Sequence, residues 1–195
     1  MKTSKGGAYE REMCRFLSLW WTGGKREDVF WRTACSGARA TIRSKVNKKT
    51  FGSYGDIAVV DPIGLPLVHA FTVELKRGYP SSTAVDILDS QNSRYLDWFK
   101  KAEATSTLAG SRSWLLIHKR DRRDALIFIP FLVFRLLPLK FVERSVITYG
   151  AIKQGDVSKV SCCRLDDFVV NVHRKDIEGL LDNDYKDWIK QLSSS

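Results

Sequence analysis

The sequence predicts an α/β domain, on three observations. Apolar residues recur with helical spacing from Tyr9 to Trp20. Two apolar runs that read as strands flank a Pro/Gly-rich turn between Gly55 and Gly78. A second helical pattern over 85–104 leads into a pair of buried strands at 114–118 and 125–129. A chain of 195 residues with 44% hydrophobic content can bury one proper core. The expected organisation is a single domain, with a central part over about 5–130 and a C-terminal α+β extension over about 131–195.

The first helix rests on Tyr9, Met13, Phe16, Leu17 and Trp20, a stripe one helix face wide, and Gly23-Gly24 marks its end. Glu10 and Glu12 fall on opposite edges of that stripe, so either can reach a neighbouring site; periodicity does not choose between them. Residues 29–55 then contain no acid. They hold Arg32, Arg39, Arg43, Lys45, Lys48 and Lys49 among Gly, Ser and Asn, the pattern of a basic loop that neutralises phosphates or, alternatively, of a solvated surface. Phe30, Trp31 and Phe51 are expected in the core rather than as stacking platforms.

Gly55-Asp56-Ile57-Ala58-Val59-Val60 and Phe71-Thr72-Val73-Glu74-Leu75-Lys76-Arg77 are read as an antiparallel hairpin folding at Asp61-Pro62-Ile63-Gly64-Leu65-Pro66. Strand alternation puts Glu74 and Lys76 on one face. A fold point at Leu65 sets Asp56 directly opposite Glu74. Pro80-Ser81-Ser82-Thr83 supplies cap chemistry for one long helix to about Ala104. After the strands at 114–118 and 125–129, joined by a basic turn that includes Lys119 and Arg120, short strands are expected at 145–149 and 159–165. Helices are expected at 176–181 and 185–192, and 166–172 is left open.

The balance of 32 Lys+Arg against 22 Asp+Glu gives a formal charge of +10, which favours a polyanionic partner and nucleic acid first. The four cysteines have no zinc spacing, and free thiols are expected. His69 and His118 are read as satisfied strand residues, and no histidine has catalytic spacing. No apolar run is clean enough for a membrane span and no secretory leader precedes the first helix, so the expectation is a cytoplasmic protein without membrane contact.

Two carboxylates and a lysine converging on strands suit phosphodiester hydrolysis. That chemistry needs an activated water and neutralisation of charge on the phosphoryl oxygens. Mg²⁺, or Mn²⁺, takes oxygen ligands, so Asp56 and Glu74 form a suitable pair, with the Val73 or Leu75 carbonyl as a further ligand. Lys76 orients the water or stabilises developing negative charge. The helical acid supports a metal-bound water or a second ion. Charge pairs on a solvated hairpin face are the competing account.

These residues resemble a known family. Gly55-Asp56 followed by Glu74-Leu75-Lys76 resembles the D-x(n)-E-x-K signature of the PD-(D/E)xK nuclease superfamily, with Gly55 where proline is often found. Lys5-Gly6-Gly7-Ala8-Tyr9-Glu10-Arg11-Glu12 is similar to the start of archaeal-type Holliday junction resolvases. The resemblance assigns Glu10 as the helical acid, Arg11 to DNA contact, and Ser36, of Ser36-Gly37, to catalytic support. Gln91-x-x-x-Tyr95 resembles the Q-x-x-x-Y element of RecB-type members, which brings in Gln91. The resemblance implies a restriction-endonuclease-like core, a central mixed β-sheet flanked by helices. It also implies a metal-dependent DNA endonuclease, a structure-specific junction resolvase acting as a homodimer, encoded by a phage and working in the host cytoplasm. The alternatives are a restriction- or repair-type nuclease on duplex or single-stranded DNA, and a non-catalytic basic DNA-binding protein on the same scaffold.

Overall fold

The computed structural model describes residues 5–33, 54–83, 85–89, 93–139, 149–150 and 159–181. The first helix, α1 (Lys5–Trp21), stops where Gly23 and Gly24 take positive φ of 62° and 84°. Its predicted stripe is buried: Tyr9, Met13 and Leu17 lie in the core, with Phe16 and Trp20 packed against it. The chain then forms β1 (Phe30–Arg32) and, further on, β2 (Ile57–Val59), which pair antiparallel with Arg32 opposite Ile57.

Here the structure departs from the predicted hairpin. β2 pairs with β1, and a 3-10 turn (Pro62–Gly64) and α2 (Leu65–Ala70) separate it from β3 (Phe71–Arg77). The cause is in the linker. Asp61 caps the turn by accepting the Ile63 N–H at 2.9 Å, and Pro62 and Pro66 occupy first-turn positions of the two helical segments, where a missing N–H costs nothing. Leu67 and Ala70, one helical turn apart, go into the core. His69 therefore sits on a helix, exposed, and not on a strand.

Among the described residues β3 is the edge of a five-stranded sheet completed by β4 (Ser113–Lys119), β5 (Ala125–Pro130), β6 (Tyr149–Gly150) and β7 (Lys159–Arg164), in the order β3-β4-β5-β7-β6. Only β3 and β4 run parallel; the remaining pairs are antiparallel, so the sheet is mixed. The predicted long helix is two pieces, α3 (Asp86–Asp89) and α4 (Arg94–Ala109), because Ser93 is extended at the N-cap of the second. α5 (Phe131–Phe134), α6 (Leu165–Asn171) and α7 (Arg174–Gly179) complete the described elements. Of the expected strand at 145–149 only Tyr149 is described, as the first residue of β6, and 145–148 and 185–192 lie outside the described residues.

Helices cover both faces of the sheet. Phe71, Val73 and Leu75 point into a core shared with α1, α6 and α7, to which Phe168 and Ile177 contribute. Trp114, Leu116 and Phe128 point the other way, against Tyr95, Trp98, Phe99 and Ala102 of α4. This is the α/β architecture of a restriction-endonuclease-like core. Residues 159–181 are built into the same sheet and core, through β7, α6 and α7. Cys14, Cys162 and Cys163 are buried free thiols.

Candidate active site

Gly55 brings the chain onto the open edge of β3. Its φ is +75°, and a Cβ there would lie 2.6 Å from the Val73 carbonyl oxygen, so only glycine permits this approach. The Asp56 N–H donates to that carbonyl at 2.8 Å, and the Leu75 N–H donates to Asp56 Oδ2 at 2.7 Å. The carboxylate thus takes the place of a backbone carbonyl on the strand edge, bonding the residues on either side of Glu74. On its other flank the Asp56 carbonyl accepts the Thr33 N–H at 3.2 Å, while Thr33 Oγ1 donates to the Gly55 carbonyl at 2.8 Å. Asp56 is therefore locked between the β1–β2 ribbon and β3, and it adjoins Glu74 without any hairpin. The Val73 carbonyl, a candidate ligand from the sequence, is occupied by this docking bond.

Glu74 and Lys76 share a face, as strand alternation requires: Lys76 Nζ lies 2.8 Å from Glu74 Oε2 and 4.0 Å from Asp56 Oδ2. Lys101, from α4, approaches the same Glu74 oxygen at 3.9 Å. Asp56 is 8% exposed and Glu74 4%. Burial first, and then the Glu74 charge, push the Asp56 carboxyl up to about 6, against the pull of Lys76 and the Leu75 N–H. Burial works to lower Lys76, but the two carboxylates and the Glu74 hydrogen bond outweigh it, so the ammonium is held above the ordinary lysine range. At neutral pH Lys76 is a fixed cation.

Of the two helical acids, Glu12 is exposed and Glu10 is half-buried on the site's side, with its Oε2 3.5 Å from Arg32 Nε and its charge contributing to the upward push on Asp56. Among the described residues no group of three or more His, Cys, Asp or Glu is spaced to hold a metal ion. Glu10, drawn to Arg32, does not join the Asp56–Glu74 pair as a third direct ligand. The pair itself fits a hard cation: two buried carboxylates on one strand edge, one of them destabilised by the other's charge, are oxygen donors that a divalent ion would relieve.

The remaining predicted residues divide. Arg11 lies half-buried on α1, Arg32 pairs with Glu10, and Lys119 and Arg120 sit at the C-terminal end of β4, where Lys119 is the register partner of Arg77. Ser36, Arg39, Arg43, Lys45, Lys48, Lys49 and Gln91 lie outside the described residues, as does Phe51. Phe30 is in the core, whereas Trp31 is 54% exposed, a correction to its expected burial: it alternates with Phe30 and Arg32 and so faces away from α1.

His118, the register partner of Lys76 on β4, is buried in a polar relay. Its Nε2 lies 2.9 Å from the Gly78 carbonyl, which can only accept, so Nε2 carries the proton and Nδ1 accepts the Tyr95 hydroxyl at 2.7 Å. Burial holds this histidine below its usual value, in the neutral form. Sequence reasoning missed Lys101, Thr33, Tyr79 and Arg94 around the site. For the α4 pair a signal existed: Arg94, Trp98 and Lys101 follow i, i+4, i+7 spacing on one helix face.

A family model described as "Phage putative PDDEXK endonuclease" matches residues 1–179. The chain belongs to this family, and with it to the PD-(D/E)xK superfamily. Comparisons with curated proteins and with solved structures return no match.

Proposed function

We propose that this chain is a divalent-metal-dependent DNA endonuclease in which Asp56 and Glu74 hold Mg²⁺ or Mn²⁺ and Lys76 acts on the scissile phosphate. The observation that carries the reading is the docking of Asp56 on β3, which sets two buried carboxylates beside one half-buried lysine. When bound, the cation would neutralise phosphoryl charge and acidify a water. Asp56 and Glu74 would position it, their remaining ligands being waters and phosphate oxygens. Lys76, held protonated, serves as a charge stabiliser for the developing oxyanion rather than as a base. Glu10 supports the site through water, and Ser36 and Gln91 are proposed as catalytic support.

DNA is the substrate that the family description and the charge of +10 both favour. Holliday junction resolution by a homodimer is the finer proposal, resting on the Lys5–Glu12 motif. One observation favours a different reading: Glu74 is already neutralised by Lys76 at 2.8 Å and approached by Lys101 at 3.9 Å, as in a scaffold that binds DNA without cutting it.

The test is incubation with four-way junction, duplex, flap and single-stranded DNA, in Mg²⁺ or EDTA, beside Asp56→Ala and Lys76→Ala. Mg²⁺-dependent cleavage lost in both variants supports the site. Absence of cleavage on every substrate refutes the enzyme, and cleavage that survives both changes refutes these residues. Preference for the junction over duplex decides the finer proposal. Loss of binding when Arg39, Arg43, Lys48 and Lys49 are replaced assigns that loop to the grip on DNA.

A further inference from the structure

Just past Lys76 the backbone does something costly. Gly78 and Tyr79 both take positive φ, 89° and 56°. For glycine this is free; for a bulky aromatic residue it is a genuine outlier, of the kind that persists where the surroundings enforce it and that clusters at functional sites. The enforcement is visible. The Gly78 carbonyl is held by His118, the Gly78 N–H donates to the Lys119 carbonyl at 3.0 Å, and the Tyr79 ring stands edge-on to Trp98 at 5.0 Å. The residue so held is 40% exposed, and its phenol lies close enough to bear on the Lys76 ammonium.

Arg94, the first residue of α4, lays its guanidinium over this ring, 5.0 Å from the centroid. Among the described residues no carboxylate pairs with it, so the ring is the partner the structure gives its guanidinium. A guanidinium held over a ring can still offer its planar N–H edge, which matches the oxygens of a phosphate. Lys101, seven residues along the same helix face, lies about 10 Å away along the axis, and it reaches Glu74. Arg94 and Lys101 thus stand at the two ends of a rail that passes the Asp56–Glu74–Lys76 group.

We infer that Arg94, stacked on the strained Tyr79, is a binding site for a backbone phosphate of the DNA strand, flanking the Lys76 side of the candidate active site. The inference rests on the nuclease reading for the identity of the ligand. Tyr79 is the positioning residue: its ring lies under the guanidinium, and the Gly78–Tyr79 conformation aims the ring.

The test measures the salt dependence of binding to a 5′-fluorescein-labelled single-stranded DNA 20-mer and to the corresponding duplex, in EDTA so that no strand is cut. Arg94→Gln is expected to lower the slope of log Kd against log salt by about 0.7 to 0.9, the share of one phosphate. Lys175→Gln, an exposed charge on α7, is expected to leave it unchanged. Tyr79→Gly removes both ring and strain; the expected result is weaker binding with a melting temperature no lower than wild type. A ring that serves only packing would lower the melting temperature and leave binding intact, which overturns the role given to Tyr79. An unchanged slope in Arg94→Gln, or equal losses in Arg94→Gln and Lys175→Gln, overturns the phosphate site. Failure of the wild type to cleave DNA in Mg²⁺, with the Arg94 effect present, defeats the nuclease reading and leaves the phosphate site standing.

Discussion

Replacing Gly55 by alanine tests whether the approach of Asp56 to β3 is the keystone of the site. At φ +75° an alanine pays the left-handed penalty of an L-residue, about 1–2 kcal/mol. Its Cβ would also lie 2.6 Å from the Val73 carbonyl oxygen and 3.0 Å from Thr72 Cγ2, so the 54–56 segment must withdraw from β3. That carbonyl accepts the Asp56 N–H, and withdrawal leaves a buried donor unpaired at a cost of about 1–3 kcal/mol. The sum is about 2–5 kcal/mol. For a chain of this length it corresponds to a fall in melting temperature of about 4–20 °C. Chemistry should suffer more than stability, because a carboxylate misplaced by about 1 Å costs on the order of a hundredfold in rate. The assay pairs thermal melts with Mg²⁺-dependent cleavage of the preferred DNA. Gly6→Ala is the control: it sits in α1 with nothing within 4 Å of the new methyl, and it should be neutral or stabilise slightly. A Gly55→Ala protein that melts within about 2 °C of wild type and cleaves at full rate would refute the reasoning.

Other outcomes follow from the same geometry. Lys76→Ala should lower the cleavage rate by about 10²–10³, the loss seen when one donor to a developing oxyanion is removed, and a loss below tenfold in kcat measurements would deny it that role. Asp56→Asn should stabilise the metal-free protein at pH 8 and be nearly neutral at pH 4. A carboxyl raised to about 6 stabilises the fold below its unfolded value near 3.8 and loses that contribution as pH rises through 6. The effect is at most about 3 kcal/mol from a two-unit shift, and denaturant melts in EDTA that show destabilisation at pH 8 would contradict it. His118 runs the other way. Its neutral form is favoured in the fold, so its contribution is present above pH 6.5 and is lost as pH falls below that value. His118→Gln, which retains an N–H for the Gly78 carbonyl, should flatten the decline in melting temperature between pH 7 and 5; an identical decline in both proteins would exclude His118 as its source.

The elements that could be read from sequence are those whose signal is local. The α1 stripe, the alternation in β3 that joins Glu74 to Lys76, and the β4–β5 pair all follow from periodicity within one segment, and all three form. The linker of 61–66 shows where that logic stops. Its Asp, Pro and Gly residues suit a hairpin tip and a capped helical turn equally well, and the choice falls to Leu67 and Ala70, whose burial depends on core partners supplied by distant elements. Asp56 nevertheless reaches Glu74, because the alternation of β3 leaves an unpaired N–H at Leu75 on a sheet edge, and a carboxylate is the strongest acceptor the preceding segment offers. The juxtaposition forms, although the hairpin register from which it was expected does not. Arg94 and Tyr79 were illegible for the opposite reason. Arginine opening a helix and tyrosine before a proline are unremarkable in a string of residues, and only a positive φ and a guanidinium laid over the ring set them apart. Both properties belong to the folded chain. They place the strain one residue beyond the Gly78 carbonyl that His118 holds, so the His118–Tyr95 relay, the Tyr79 ring and the Lys76 ammonium form one mechanical unit at the end of β3. A substitution at Tyr95 should therefore reach the phosphate contact through His118, although Tyr95 itself is fully buried.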